Sequence, residues 1–463
     1  MDEIMEQLLH YVWQHRMFPL GTLFTTPASG EEPLEVEVID PGLHNFGAGP
    51  DFFNAKVRIG HQLWVGNVEI HLRSTDWFRH HHETDPAYNN VILHVVGMKD
   101  CEVTTPLNTP ERGEEGASRL LPTLELPVPP EVEANYRELL AEEAYPPCYR
   151  VIPQLSKLVV HSWMSALTVE RLETKTERID RWLKHTTNDW EQTFFIVLAR
   201  AFGFGNNADT FERWAAAINP QHICKHRDNL EQVEAFFLGT AGFMDPPPSP
   251  TPLVLPSLSR DRNLHRKGED ITYKCPSKDA VSTPLPRREG LGGGSEWRFL
   301  QAKFGLTPLP RSAWKMGRLR PQNFPQVRLR QLAELYHSRR LDFSRVRSAK
   351  TIDELRTLLT AKTEDYTLSA ASVDLLIINA VAPILFAYGR HHGDEALTER
   401  AFTLLESIKP ESNFITRSWA KAGITSQHAA DSQALIELRT RYCDRKDCLR
   451  CRFGAAYLKK GQA

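Results

Sequence analysis

Apolar residues recur at three- and four-residue spacing near the start of the chain. Ile4, Leu8, Leu9, Val12 and Trp13 share one face while Glu3, Glu6 and Gln7 fall on others, which predicts a helix over 3–15. The run Leu34-Glu35-Val36-Glu37-Val38-Ile39 then alternates with period two and stops at Asp40-Pro41-Gly42, a strand closed by a turn. Segments 52–59 and 63–71 predict two more strands, separated by Gly60-His61-Gln62 at hairpin spacing. The nearly continuous apolar run 90–96 predicts a fourth, buried strand. From residue 155 the period turns helical. Leu158, Trp163, Leu167, Leu172, Ile179, Trp182 and Leu183 trace one stripe, and 190–202 forms a second helix ended by Gly203 and Gly205. Helical patterns return at 332–336, 352–359, 373–385 and 395–408.

The expected organisation is an α+β chain. A mixed-sheet domain covers 1–150 and a helical region covers 151–244. Residues 245–296, opened by Asp245-Pro246-Pro247-Pro248 and closed by Gly292-Gly293-Gly294-Ser295, read as a disordered or looping insertion, because this composition buries too little apolar surface to offset the entropy of ordering. A smaller loop of the same kind is expected over 104–118, and 297–463 is a second helical region.

Of the 463 residues, 41% are hydrophobic and 25% charged, which excludes a wholly disordered chain. The net charge of −2 advertises neither a nucleic-acid nor a membrane partner, so any such signal must be local. No stretch approaches the ~18–20 apolar residues of a membrane span. The acidic start Met1-Asp2-Glu3 argues against a secretory signal, and the cysteines do not form an extracellular disulfide framework. The expected location is cytoplasmic.

Candidate chemistry is densest between Asn45 and His94. Glu69 and His71 alternate on one strand and so share a face. A hairpin would bring Asp51, at the start of one strand, beside Glu69 near the end of its partner. Two converging carboxylates make a hard oxygen site suited to Mg²⁺ or Mn²⁺, with His71 placed to orient or deprotonate a water. Polar strand ends and Gly-Pro-Asp are equally ordinary turn chemistry. A second cluster follows, in which His80, His82, Asp85 and His94 offer an alternative Zn²⁺ or Mn²⁺ site. Three consecutive histidines on a loop are also compatible with a solvated surface, and His94 with a hydrogen-bonded core residue.

Several motifs resemble an uncharacterised bacterial family, domain of unknown function 2851. They are Gly49-Pro50-Asp51-Phe52, Gly66-Asn67-Val68-Glu69-Ile70-His71, Asp76-Trp77, His80, His82 and Asn90-Val91-Ile92-Leu93-His94. The resemblance continues through Arg318-Leu319-Arg320-Pro321-Gln322-Asn323-Phe324-Pro325, Asn379-Ala380-Val381-Ala382-Pro383 and the terminal cysteines, nearly the whole chain outside 245–296. That family name carries no activity. More distantly, the order of elements is similar to the PD-(D/E)XK nuclease superfamily, whose core is a helix, three strands, a helix and a further strand. The resemblance implies Asp51 and Glu69 as metal ligands, Glu6 or Glu3 as the helix acid, and His71 in the position of the superfamily lysine. A neutral imidazole there departs from the pattern, because it lacks the fixed positive charge of lysine.

Residues 311–350 carry eleven Lys or Arg against two acids, with Trp314, Phe324, Tyr336 and Phe343 interleaved. Such a stretch suits a phosphate backbone with splayed bases, with Arg318, Arg320 and Arg328 as phosphate contacts and Trp314 as the stacking ring. A solvated or internally paired basic face has the same composition. Cys443, Cys448 and Cys451 have C-x₄-C-x₂-C spacing, and Cys148 is the expected fourth ligand of a Zn²⁺ or [4Fe–4S] site. Some nuclease-superfamily members carry a similarly split cluster with different spacing. Three functions follow: a metal-dependent nuclease, a non-catalytic nucleic-acid-binding scaffold with a degenerate site, or another His/Asp metal hydrolase.

Overall fold

The computed structural model of the protein describes residues 2–19, 21–26, 32–106, 118–244 and 293–460. Most of the expected insertion, including Cys275, and the tip of the 104–118 loop lie outside the described residues. The chain forms two compact units. Unit 1 comprises Met1–Glu170, Pro410–Gln427 and Asp431–Ala463, and unit 2 comprises Arg171–Lys409 with His428–Ala430. The terminal cysteine segment therefore folds with the sheet and not with the helices of Arg171–Lys409. Local periodicity marks elements but carries no information about such a return of the chain.

Unit 1 begins with helix α1 (Asp2–Gln14). Strands β1 (Val36–Asp40), β2 (Leu43–His44), β3 (Phe52–Ile59), β4 (Gln62–Arg73), β5 (Val91–Met98), β6 (Thr104–Pro106), β7 (Ser118–Leu120) and β8 (Thr123–Glu125) follow. The main sheet runs β1-β3-β4-β5-β8, with β2 also on β3, and β6 and β7 pair separately. Strands β1, β3 and β4 are antiparallel neighbours, whereas β5 is parallel to β4 and β8 to β5. A parallel neighbour requires a crossover. Residues 74–90 supply it, through the short helix α2 (Asp76–Arg79) and a 3₁₀ turn Pro86–Tyr88.

Leu9, Val12 and Trp13 of α1 pack in one core with Val57, Val68, Ile70, Leu93 and Val95 of the sheet. Because side chains alternate along a strand, Glu69 and His71 then turn to the opposite face. Trp77, Tyr88 and Val91 form a second apolar cluster with Val103 and Leu121. Gly66 in β4 has no room for a side chain, since a Cβ there would lie 2.4 Å from Ile92 Cγ2 and 2.7 Å from the Asn90 carbonyl. Gly66→Ala is expected to destabilise unit 1 by about 1–3 kcal/mol through overpacking at the β4–β5 junction. Chemical denaturation followed by tryptophan fluorescence checks it, and an unchanged midpoint would contradict the packing described.

Helix α3 (Pro130–Ala141), which periodicity missed, and the first part of helix α4 (Lys157–His185) complete the middle of unit 1. The C-terminal helices Phe414–Ala422 and Arg452–Leu458 join them. The regular elements of unit 2 among its described residues are helices, with one isolated bridge between Lys362 and Thr367, and the unit has its own large apolar core. Ala370–His392, continuous through a π turn, has a mean hydropathy of 2.0 over its most apolar window and is long enough to cross a membrane. The sequence predicts a helix over 373–385 but not its full length, because Asp374 and Asn379 interrupt the apolar run. Two thirds of that window is buried inside unit 2, as in a core helix.

The basic stretch also lies in unit 2, and the structure corrects two of its expected contacts. Trp314 is buried, with its Nε1 donating to the Ala241 carbonyl at 2.8 Å, so its ring faces are not open to bases. Arg328 is buried as well, bonded to Gln331 and Asn323 and lying over the Phe204 ring. Burial lowers its pKa to about 10. Apolar spacing within the helix Pro325–His337 carried both the arginine and its neighbours inward. Arg339 pairs with Asp228, Arg340 with Glu334 and Arg345 with Asp342, while Arg318 and Arg320 remain exposed.

Candidate functional site

Asp51 is delivered by a tightly held loop. The Asn45 side-chain amide donates to the carbonyls of Ala48 at 3.0 Å and Pro50 at 3.1 Å, and its oxygen accepts from the Gly47 amide. The Asn45 amide itself donates to the Asp51 carbonyl at 2.7 Å. Gly49, with φ of +96°, takes a left-handed turn that favours glycine. The Ile70 amide donates to Asp51 Oδ2 at 2.9 Å, and the Asp51 amide donates to Glu69 Oε2 at 3.1 Å. Glu69 thus accepts from the Asp51 backbone, and Asp51 from the backbone of Ile70, the residue after Glu69.

The crossover brings the histidines onto the same carboxylate. Ser74 and Thr75 are tied to Asp100, and the buried Asp76 accepts from the Arg73 amide at 3.1 Å. After α2, the half-buried His82 and the exposed His80 bring their rings up to His71, while His81, with φ of +61°, is exposed. His82 Nε2 lies 3.2 Å from Glu69 Oε1, and His71 Nε2 lies 3.5 Å from the same oxygen. His71 Nε2 is also 3.2 Å from His80 Nδ1, and its Nδ1 is 2.9 Å from His94 Nε2. Tyr88 stacks on the His82 ring at 3.7 Å, and Trp77 lies edge-on to it.

These separations have a simple chemical reading. Ligand atoms on a tetrahedral ion with metal–ligand distances of about 2.0–2.1 Å sit about 3.3 Å apart. The chain of contacts from His80 to His71 to Glu69 to His82 has steps of 3.2, 3.5 and 3.2 Å. Among the described residues, His71, His80 and His82 form the group whose candidate ligand atoms all lie within 4.8 Å of one another. His82 Nε2 is buried and, despite its closeness to Glu69, is not aligned for a hydrogen bond. A cation would satisfy it. His94 reaches the centre only through His71, an outer partner that sets the orientation of that ring.

Burial dominates the electrostatics of these groups. Burial, and then the Asp51 carboxylate, push Glu69 well above the usual carboxylate range, so without a cation it retains its proton. Burial and neighbouring imidazoles hold His71 down to about 2, His94 to about 3 and His82 to about 4. All three are neutral at pH 7, the state that ligates metal. Burial also raises the pKa of Glu6 on α1, which feels the charges of His10, Asp51 and His80. It faces the same centre, whereas the Glu3 side chain lies outside the described residues.

One contributor had escaped the sequence reading. His10, one turn after Glu6, places Nε2 3.4 Å from Asp51 Oδ2. The signal was a second polar residue four positions along α1, on the same face as Glu6. Asp85 is placed differently from the rest. Its side chain accepts from the Ala87 amide at 2.9 Å and caps the 3₁₀ turn that holds Tyr88.

A family model described as a protein of unknown function, DUF2851, matches residues 6–414. The chain belongs to the DUF2851 family. No curated protein and no solved structure matches it. The family match takes in every residue of this centre and ends before the terminal cysteines. In this DUF2851 chain Glu69 of the first cluster lies against Asp51 on one side and against His71 and His82 on the other, while Asp85 stands apart.

Proposed function

We propose that unit 1 is a metal-dependent phosphodiesterase of nuclease type, with nucleic acid as its substrate. The observation that carries this is Glu69, whose Oε2 accepts from Asp51 while Oε1 stands 3.2–3.5 Å from His82 and His71. The order of elements supports the substrate class. A helix, three antiparallel strands and a fourth strand parallel to the third are similar in order to the nuclease superfamily core, and on that analogy Glu6, Asp51, Glu69 and His71 would correspond to its acids and lysine. That analogy concerns the scaffold, and the chemistry rests on the side chains.

Glu69, His71, His80 and His82 would hold the ion, with Asp51 beside them. Three imidazoles favour Zn²⁺ or Mn²⁺ over Mg²⁺, which prefers oxygen ligands and retains its waters. A bound ion would polarise the phosphate and lower the pKa of a water. His71, neutral in its buried position, acts as a ligand and not as a cationic phosphate contact. His10, against Asp51 and outside the ligand group, is placed to accept a proton from the attacking water.

The test is cleavage of end-labelled single- and double-stranded DNA and RNA by the full chain with Mg²⁺, Mn²⁺ or Zn²⁺, beside Asp51→Ala and His80→Ala. Cleavage is expected with Mn²⁺ or Zn²⁺ and to fall to background in Asp51→Ala. If wild type and both variants behave alike on every substrate, the catalytic assignment fails. Hydrolysis of a simple aryl phosphodiester without any nucleic-acid cleavage would retain the reaction and remove the substrate.

A further inference from the structure

Unit 1 contains a second concentration of ligand chemistry. Cys148 lies in the turn after α3, Cys443 ends a π turn over Leu438–Cys443, and Cys451 immediately precedes the helix Arg452–Leu458. Together with Cys448 they are all free thiols. Cys148, Cys448 and Cys451 belong to one buried cluster with Leu139, Trp163 and Phe453, and the half-buried Cys443 packs against it. In every pair among the four, charge on one sulfur bears on the other.

Three donors gather at one of these sulfurs. The Phe453 and Gly454 amides and the Trp163 indole are directed at the Cys451 sulfur, and each favours its charged form. Trp163 Nε1 is buried and has no conventional hydrogen-bond partner, so this sulfur is what it faces. At Gly454 a Cβ would stand 2.1 Å from the Cys448 carbonyl, which locks the Cys448–Cys451 turn against the following helix. Lys446 lowers the proton affinity of Cys448 and anchors its own Nζ on the Leu140 carbonyl at 2.8 Å. Arg452 lies over the Trp163 ring.

Sulfur spacing separates a single zinc from a larger group. Tetrahedral zinc with Zn–S of about 2.3 Å brings its sulfurs to about 3.8 Å from one another. Among the described residues the ligand group within a mutual 4.8 Å is the histidine one, so no three of these sulfurs are that close. A cavity of about 150 Å³ adjoins Cys443 and Cys448, walled by Leu139, Tyr145, Pro147 and Lys446. An iron–sulfur cluster spreads its ligands over several irons and fills more space than one ion. The C-x₄-C-x₂-C spacing with one distant cysteine is also a pattern such clusters use.

We propose that Cys148, Cys443, Cys448 and Cys451 together ligate an iron–sulfur cluster that clamps the C-terminal segment of unit 1 to the turn after α3. Each ligating thiol releases its proton to solvent, and the clamp requires no electron transfer. The experiment is anaerobic purification of the full chain with iron, acid-labile sulfide and zinc determined per chain. Equimolar iron and sulfide are expected, with visible absorbance bleached by dithionite. Both should be lost in Cys448→Ser and Cys443→Ser and kept in Cys101→Ser, whose side chain packs in a separate cluster. Far-UV circular dichroism checks that each variant folds, and the wild-type analysis stands if one does not. One zinc per chain without sulfide, no metal, or iron retained in both ligand variants would overturn the proposal.

Discussion

Glu69→Gln is expected to abolish metal binding and phosphodiester cleavage while leaving the metal-free fold intact. The amide oxygen of glutamine still accepts from the Asp51 amide, so the bond that now holds the two strands at 3.1 Å survives. Burial and Asp51 already favour the protonated form of Glu69 when no cation is near, so a neutral amide changes little in the metal-free state. With metal the balance reverses. The variant loses the one anionic ligand among three imidazoles, and affinity should fall by more than the ~10–100-fold typical of removing an outer partner. Zn²⁺ or Mn²⁺ at a hundredfold excess over Kd should stabilise the wild type by about 2.7 kcal/mol and the variant by almost nothing. Thermal melts of both proteins with and without metal measure the difference. An equal metal-induced rise would show that Glu69 is not a ligand.

Trp77→Ala is expected to produce the largest loss of stability of any single change near the centre. Trp77 is fully buried and packs against the His82, His94 and Tyr88 rings. Truncations of this size cost about 3–5 kcal/mol. The lower end applies here, because the wild-type indole Nε1 is itself buried without a partner and its removal relieves that penalty. Trp77→Phe keeps an aromatic ring and discards the orphan donor, so it should cost far less. Metal affinity should follow the same order, since the alanine variant releases the His82 ring. Denaturant titration with calorimetric metal titration tests both, and a Trp77→Ala protein as stable as wild type would contradict the packing.

Local pattern was enough to place α1, β1, β3, β4, β5 and the long helices, because a buried face imposes its period on the residues that form it. Phe52–Ile59 and Trp190–Phe202 were bounded as the structure has them. The short strands β6–β8 and helix α3 were missed, since few residues carry their period. Residue chemistry also marked Asp51, Glu69, His71, His80, His82 and Cys148 as candidates, because carboxylate, imidazole and thiol types are visible at any position. Hairpin spacing also predicted that Asp51 meets Glu69, but not that the histidines meet them there. Periodicity cannot tell an antiparallel neighbour from a parallel one, and only the parallel β4–β5 pairing sends residues 74–90 across the Glu69 face. Likewise Trp314 and Arg328 look like surface ligands by type, yet long-range packing in unit 2 covers them. The sequence by itself determined which elements form and which side chains can do chemistry. Tertiary structure alone decided that carboxylates and histidines share one centre, because contacts between residues far apart in the chain depend on pairing direction and burial.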